Sequence, residues 1–370
     1  MSNALETPVE IGIPVLEGTD HVELWVGNAR QAAYHYRNAF GFDVVAYAGP
    51  ETGVRDRASY VLQQGKVRLV LTAPLQPDGP VAEHVRLHGD GVRVIALRVE
   101  DARAAYEAAT SRGARSVAEP ATVTDKDGAI TFASVATFGD TVHQFVERNE
   151  YSGVHWPGYR EQRVSGGGVG VRFIDHTVGN VELGKMDDWV TFYSEVFGFN
   201  VFQEFDENDI ATQYSALRSK VARDPRSMVT FPINEPAVGI KASQIQEYLD
   251  YYRGSGVQHI ALHTDDIVAT VGTMRQRGVE FLTAPHAYYE ALGTRADGID
   301  EDLERLEDLS VLIDRDDDGY LLQIFTRPVG DRPTLFFEVI QRKGCKGFGK
   351  GNFKALFEAI EREQSARGNL

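Results

Sequence analysis

The sequence predicts an α+β protein of two successive domains, each built from paired βαβββ modules that curl into a half-open barrel. Three observations predict it. The chain repeats itself within and between its halves, each repeat passes from alternating apolar residues to a helical pattern and back to strands, and a Gly/Pro-rich stretch separates the halves. A repeat must be found before motifs are read, because missing it misassigns the whole fold.

The first repeat sets TDHVELWVGNARQAAYHYRNAFGFDV (19–44) against IDHTVGNVELGKMDDWVTFYSEVFGFNV (174–201). Each is a strand opening on Asp-His, then a helix, then Phe-Gly-Phe. The second sets GVRVIALRVEDARAAYEAATSRGARSVAEP (91–120) against GVQHIALHTDDIVATVGTMRQRGVEFLTAP (256–285), with 10 identities in 30 positions. Both read as strand, capped helix, glycine turn and strand. The linker is NEYSGVHWPGYREQRVSGGGVG (149–170), which gives domains over 1–155 and 156–370. The concave side of each closed pair of modules is a natural ligand cavity.

At 370 residues, 42% hydrophobic and 25% charged, the chain can fill two cores and is neither disordered nor membrane-spanning in composition. Its 54 acidic against 38 basic residues, net −16, disfavour nucleic acid or an anionic membrane as partner. The start, MSNALETPVEIGIP, carries no basic and apolar leader pattern, and the single Cys345 cannot form an intramolecular disulfide. A cytoplasmic protein is expected.

In GVQHIALHTDDI (256–267), His259 and His263 stand four apart, a zinc-pair spacing if the segment were helical. The alternation of Val257, Ile260 and Leu262 argues instead for a strand running into a helix cap at Thr264-Asp265-Asp266. On a strand the two histidines also share a face, so spacing alone does not select the ligand.

Comparison of the halves does. The two opening strands of the second half offer His176 and His259, and the same positions in the first half hold His21 and Val94. A site lacking one of two imidazoles holds an exchangeable ion poorly, so the first half reads as a structural copy, with His21 a strand-start histidine bonded to backbone. The third ligand is expected from a late strand: Glu338 in TLFFEVIQR (334–342) is costly to bury without a cation. Its counterpart in TVHQFVER (141–148) is Gln144. Two histidines and one carboxylate with open positions suit a non-haem Fe(II) oxygenase, although Zn(II) or Mn(II) is chemically tolerable. His263 reads as a strand-end residue outside the ligand set.

Two further motifs read as structural. DRDDDG (314–319) opens like a calcium loop, but Phe325 stands where the bidentate Glu is required, so Asp318-Gly319 is assigned to a hairpin turn. GCKGFGKG (344–351) has P-loop spacing but ends in Gly351 instead of Ser or Thr, and reads as a hinge before the helix NFKALFEAIEREQ. The acidic DGIDEDLERLEDL (297–309) reads as a solvated helix face.

With IDHTVGN, FPINEPA, GVQHIAL, LLQIFT, FFEVIQR and GFGKGNFKALFEAIE in this order, the chain resembles the 4-hydroxyphenylpyruvate dioxygenase family, of the vicinal oxygen chelate fold, over nearly its full length. The resemblance implies conversion of 4-hydroxyphenylpyruvate and O₂ to homogentisate and CO₂ in tyrosine breakdown. Fe(II) on His176, His259 and Glu338 would be the cofactor, with oxidative decarboxylation, ring hydroxylation and side-chain migration as the steps. It further implies Ser219, Asn234, Gln258 and Gln323 as polar groups at the reacting centre, and Pro232, Gln244 and Asn352 around the substrate. Phe325, Phe336, Phe348 and Phe353 would sandwich the ring, the helix from Asn352 would act as a lid hinged on Gly347, Gly349 and Gly351, and the assembly would be a dimer or tetramer. Hydroxymandelate synthase is the nearest alternative, disfavoured by Pro232-Ile233-Asn234 and Phe325. A metal-free ligand-sequestering protein of the same fold is another, disfavoured by the retained triad.

Overall fold

The computed structural model describes residues 12–206, 216–237, 239 and 241–369, without the side chains of 353, 354 and 356. The first half runs β1 (Leu16–Trp25), α1 (Ala29–Phe40), β2 (Asp43–Ala48), β3 (Arg57–Gln64) and β4 (Val67–Pro74). After α2 (Pro80–His88) it repeats the order with β5 (Gly91–Val99), α3 (Ala102–Ser111), β6 (Ser116–Asp125), β7 (Gly128–Ala136) and β8 (Val142–Glu147), and then adds β9 (Arg160–Val164). The second half has β10 (Val171–Asn180), α4 (Met186–Phe197), β11 (Asn200–Phe205), β12 (Ala216–Arg223) and β13 (Thr230–Ala237). Next come α5 (Gln244–Tyr252), β14 (Gly256–Thr264), α6 (Ile267–Gln276), α7 (His286–Glu290) and α8 (Leu303–Asp308). The chain closes with β15 (Leu312–Asp316), β16 (Gly319–Phe325), β17 (Phe336–Lys343) and α9 (Phe353–Ala366).

Two sheets result, in strand orders β6-β7-β8-β5-β1-β4-β3-β2-β9 and β11-β12-β13-β10-β14-β17-β16-β15. Within each, two βαβββ modules join through their antiparallel first strands, β1 with β5 and β10 with β14. β9 pairs with β2, so the first sheet extends past residue 155, later than the division the sequence suggests. A second difference lies at VEFLTAP. The repeat predicts a strand there, yet only a single bridge forms, Phe281 to Thr326. The cognate Pro120 sits within β6 at a register shift, so the proline does not itself stop the strand; the second-half chain detours through α7 and α8 before β15 takes the outer position that β6 takes in the first half.

Local chemistry explains the shared elements. Asp101 and Asp266 each cap their helix by accepting from the backbone N–H three residues on. In the two Phe-Gly-Phe motifs, Gly41 and Gly198 end α1 and α4 at left-handed φ of 75° and 69°. The flanking Phe40, Phe42, Phe197 and Phe199 enter the core. That core is continuous across both halves. Phe337 of β17 meets Tyr36 and Phe40 of α1 at 5.6 and 5.1 Å, and Phe231 of β13 meets His143 of β8 at 5.1 Å. No helix among the described residues is long and apolar enough to cross a membrane.

The two decoy motifs turn out to hold each other. The Asp316 carboxylate accepts from the N–H groups of Lys346 and Gly347, and Asp314 accepts from that of Gly351. The acidic hairpin, turning through Asp317-Asp318, is thus an anchor for the glycine loop. The acidic run 297–309 contains only the short α8, with Leu306 buried, while Glu301 accepts from Tyr320 and Gln341.

Candidate metal centre

His176, His259 and Glu338 lie on the neighbouring strands β10, β14 and β17. The register sets Ala261 opposite both His176 and Glu338, and His259 precedes Ala261 by two residues. Period-two alternation therefore turns all three side chains to one face. All are buried, and one ligand atom from each lies within 4.8 Å of the others. Glu338 Oε2 is 3.1 Å from His176 Nε2 and 3.3 Å from His259 Nε2.

The other ring nitrogens are fixed. His176 Nδ1 bonds Asp175 Oδ1 at 2.7 Å and His259 Nδ1 bonds Gln258 Oε1 at 2.9 Å. With each δ nitrogen donating, each ε nitrogen faces Glu338, so that a cation which displaces the proton there meets a lone pair from each ring. Arg342 forks onto Asp175 with two bonds of 2.8 Å, which holds that carboxylate in place. Burial opposes charge on His176, but Glu338 and Asp175 outweigh it and raise the ring to about 9. Burial would raise Glu338 too, and His176 beside it instead brings it to about 2. For His259 burial prevails and the shift is downward.

Glu338 Oε1 is buried with no hydrogen-bond partner. An orphaned carboxylate oxygen beside two converging imidazole ε nitrogens is a donor set that a divalent cation completes by displacing the proton between them. The residues fit a bound metal.

The first half carries the same frame without the ligands. Asp20 bonds His21 Nδ1 at 2.7 Å, and Arg148 forks onto Asp20 with two bonds of 2.7 Å. The register aligns His21, Ala96 and Gln144 as it aligns His176, Ala261 and Glu338. Val94 stands where His259 does. The concave face there is filled by Tyr151 and Trp156 packed on Val94, Ala96 and Val142, with the His155 ring 5.1 Å from that of His21. His263 lies away from the second-half cluster, stacked on Phe173 at 4.3 Å.

A cavity opens on the triad. It is lined by the expected Ser219, Pro232, Asn234, Gln244, Gln258, Gln323, Phe325, Phe336 and Phe348. A register irregularity in β14 beside His259 lets the adjacent Gln258 and His259 both face it. Phe325 and Phe336 meet at 75° and 6.2 Å, so these two form a corner and not the parallel walls of a sandwich. Phe336 stacks on His259 at 4.9 Å, while Phe348 sits edge-on to His176 at 5.1 Å.

The resemblance puts Asn352 at the substrate. It is buried outside the cavity lining, accepting from the Tyr288 hydroxyl at 2.6 Å. Its Oδ1 also lies 3.5 Å from Arg295 Nη1, which donates to the Gly351 carbonyl. The Phe353 side chain lies outside those described. The sequence reading missed Val178, Leu217, Val221, Phe205, Phe357 and Ile360. Alternation could have found three of them: Val178 stands two residues beyond His176, and Leu217 and Val221 flank Ser219 at the same spacing.

Comparison with known proteins agrees with this geometry. Residues 18–142 and 173–324 match the Glyoxalase/Bleomycin resistance protein/Dioxygenase superfamily model. A 4-hydroxyphenylpyruvate dioxygenase of Dictyostelium discoideum is 48% identical, covering 96% of this chain and all of the relative. One from Danio rerio is 47% identical over 95% of this chain and 91% of its own. A substituted 4-hydroxymandelate synthase from Streptomyces coelicolor superposes with a TM-score of 0.85 at 36% identity, covering 95% of this chain and all of that one. The chain therefore belongs to the 4-hydroxyphenylpyruvate dioxygenase family of that superfamily.

Proposed function

We propose that this protein is an Fe(II)-dependent dioxygenase converting 4-hydroxyphenylpyruvate and O₂ to homogentisate and CO₂, and that His176, His259 and Glu338 hold the iron. The observation that carries the reading is the orphaned Glu338 Oε1 among converging imidazoles at the floor of an aromatic-walled cavity. Fe(II) prevails over the other tolerable ions because, when bound, it supplies open positions for the keto acid and O₂ and the redox capacity that decarboxylation and ring hydroxylation require.

The chain's own groups do the rest. Asp175 and Gln258 hold the δ protons of the histidines, so neither ring can turn from the cavity. Gln258, with its carbonyl engaged, keeps its NH₂ as donor. Ser219, Asn234, Gln244 and Gln323 line the remaining polar wall and orient the oxygens of the substrate. The corner of Phe325 and Phe336 receives the substrate ring and sets which ring carbon faces the reacting centre. Phe357 and Ile360 of α9 close the mouth; water kept out there cannot intercept reactive species. We assign the first half a structural role at its cognate position, supported by Val94, Gln144 and the filled concave face. The buried Cys345 suits a reducing, cytoplasmic setting, and the dimer or tetramer that the resemblance implies is readable by light scattering.

The test is oxygen uptake by Fe(II)-loaded protein on addition of 4-hydroxyphenylpyruvate, with the product identified by mass and chromatography. Homogentisate is expected. Hydroxymandelate would keep the iron site and reassign the pocket wall, the alternative favoured by the structural likeness to the synthase. Absence of uptake would overturn the reading.

A further inference from the structure

A second group of metal-type side chains lies in the first half, apart from the triad. α2 presents His84 and His88 four residues apart on one helical face. Asp140, just before β8, meets them: one ligand atom from each of the three lies within 4.8 Å of the others. His88 Nε2 is 3.0 Å from Asp140 Oδ2, and His88 Nδ1 bonds the Tyr252 carbonyl of α5 in the second half.

That carbonyl can only accept, so the proton of a neutral His88 sits on Nδ1. Its Nε2 then turns a lone pair toward a carboxylate oxygen, and two acceptors at that distance need a cation between them. The cation is either a proton or a metal ion. His84 decides between the two. It is only 4% exposed, and neither of its ring nitrogens has a hydrogen-bond partner. A proton on His88 leaves both orphaned, whereas a metal ion takes one as ligand. The arrangement matches the triad's: a δ nitrogen pinned to an acceptor, an ε nitrogen facing a carboxylate, and buried polar atoms unpaired. The opposing feature is Arg93, which donates to the Asp140 backbone carbonyl and lies over Trp25 at 5.0 Å. Its guanidinium acts as a positive charge on the Asp140 carboxylate and on His84, and a metal ion binds there against that repulsion. The Asp140 side chain is 56% exposed, which provides an entry path and room for water ligands.

We propose that His84, His88 and Asp140 form a second divalent-metal site at the seam of the two halves, with two imidazoles and one carboxylate suited to Zn²⁺. Because His88 is stacked on Tyr252 at 4.3 Å and bonded to its carbonyl, an ion there ties α2 to the loop before β8 and stiffens the docking of α5.

The test counts Zn²⁺ bound per full-length chain by equilibrium dialysis and elemental analysis, in the Glu338→Ala background that disables the triad. One ion per chain is expected, with a raised unfolding temperature; adding Asp140→Ala or His84→Gln should weaken its binding at least tenfold and abolish the thermal shift. Asp140 is exposed enough that its replacement leaves the fold intact, and in the iron-loaded wild-type background Asp140→Ala should retain oxygen uptake. Equal zinc binding by Glu338→Ala and Glu338→Ala/Asp140→Ala, or none by either, overturns the proposal and leaves a proton on His88 as the bridging cation.

Discussion

Asp175 is where a single carboxylate does two things, accepting from His176 and receiving the Arg342 fork. Asp175→Asn keeps the shape but makes a weaker acceptor, so we expect metal affinity at the triad to fall on the order of tenfold, measured by chelator competition. An unchanged affinity would reduce the pair to a structural ion bridge, the role its twin Asp20–Arg148 has in the first half. His263 makes the opposite case. It stacks on Phe173 and reaches none of the triad atoms, so His263→Ala should leave metal content and affinity within about twofold of the parent; loss of metal would show that the wrong member of the pair was chosen.

At the scale of elements, α9 and the glycine loop before it control access. α9 is fastened by Arg367, which donates to both oxygens of the buried Glu247, and by Asn369, which donates to the same carboxylate. Arg367→Ala should loosen docking by about 1.5 kcal/mol, a factor of about ten. The amides of 353–366 should then exchange faster by that factor, and more O₂ should be consumed per product formed. Exchange at the parent rate would mean that the apolar face of α9 suffices. Gly349 has φ +77°, and a Cβ there would stand 2.3 Å from Gln323 Nε2. Gly349→Ala therefore displaces Gln323 from the cavity wall, and kcat/KM should drop about tenfold with about 1–2 kcal/mol of stability lost to the backbone. A variant losing stability but no activity would remove Gln323 from the reaction.

Across the whole molecule, the seam depends on neutral histidine. Thr137 donates to the Tyr193 hydroxyl, which donates to His143 Nε2, while His143 Nδ1 donates to the Ile95 carbonyl. Tyr193 belongs to the second half and His143 to the first. Burial lowers His143 from 6.5 to about 4, so the unfolded chain binds the proton that the native one refuses. Stability from this group is full above pH 6.5 and declines as pH falls to about 4, by up to about 3 kcal/mol. His155 and His84, lowered by the same cause, add to the trend. Denaturant titrations from pH 7 to 4.5 should show a falling midpoint, and His143→Gln should flatten the slope; an identical slope in that variant would place the acid sensitivity elsewhere.

The sequence by itself determined the modules, the two halves and the triad, because each leaves a local trace. Repeats align without structure, Phe-Gly-Phe marks a helix stop, and the exchange of His259 for Val94 and of Glu338 for Gln144 distinguishes a site from its copy. Most of the cavity wall came from the family resemblance, and strand alternation applied fully would have given Val178, Leu217 and Val221. Tertiary structure alone decided the remainder, because it depends on contacts between residues far apart in the chain. The glycine loop was claimed by Asp314 and Asp316, and the strand predicted at VEFLTAP gave way to a detour through α7 and α8. The sharpest instance is the histidine pair. His259 and His263 have helical spacing on a strand, where they part company. His84 and His88 have the same spacing on a real helix, and only the packing of Asp140 and Tyr252 against them gives that spacing a meaning.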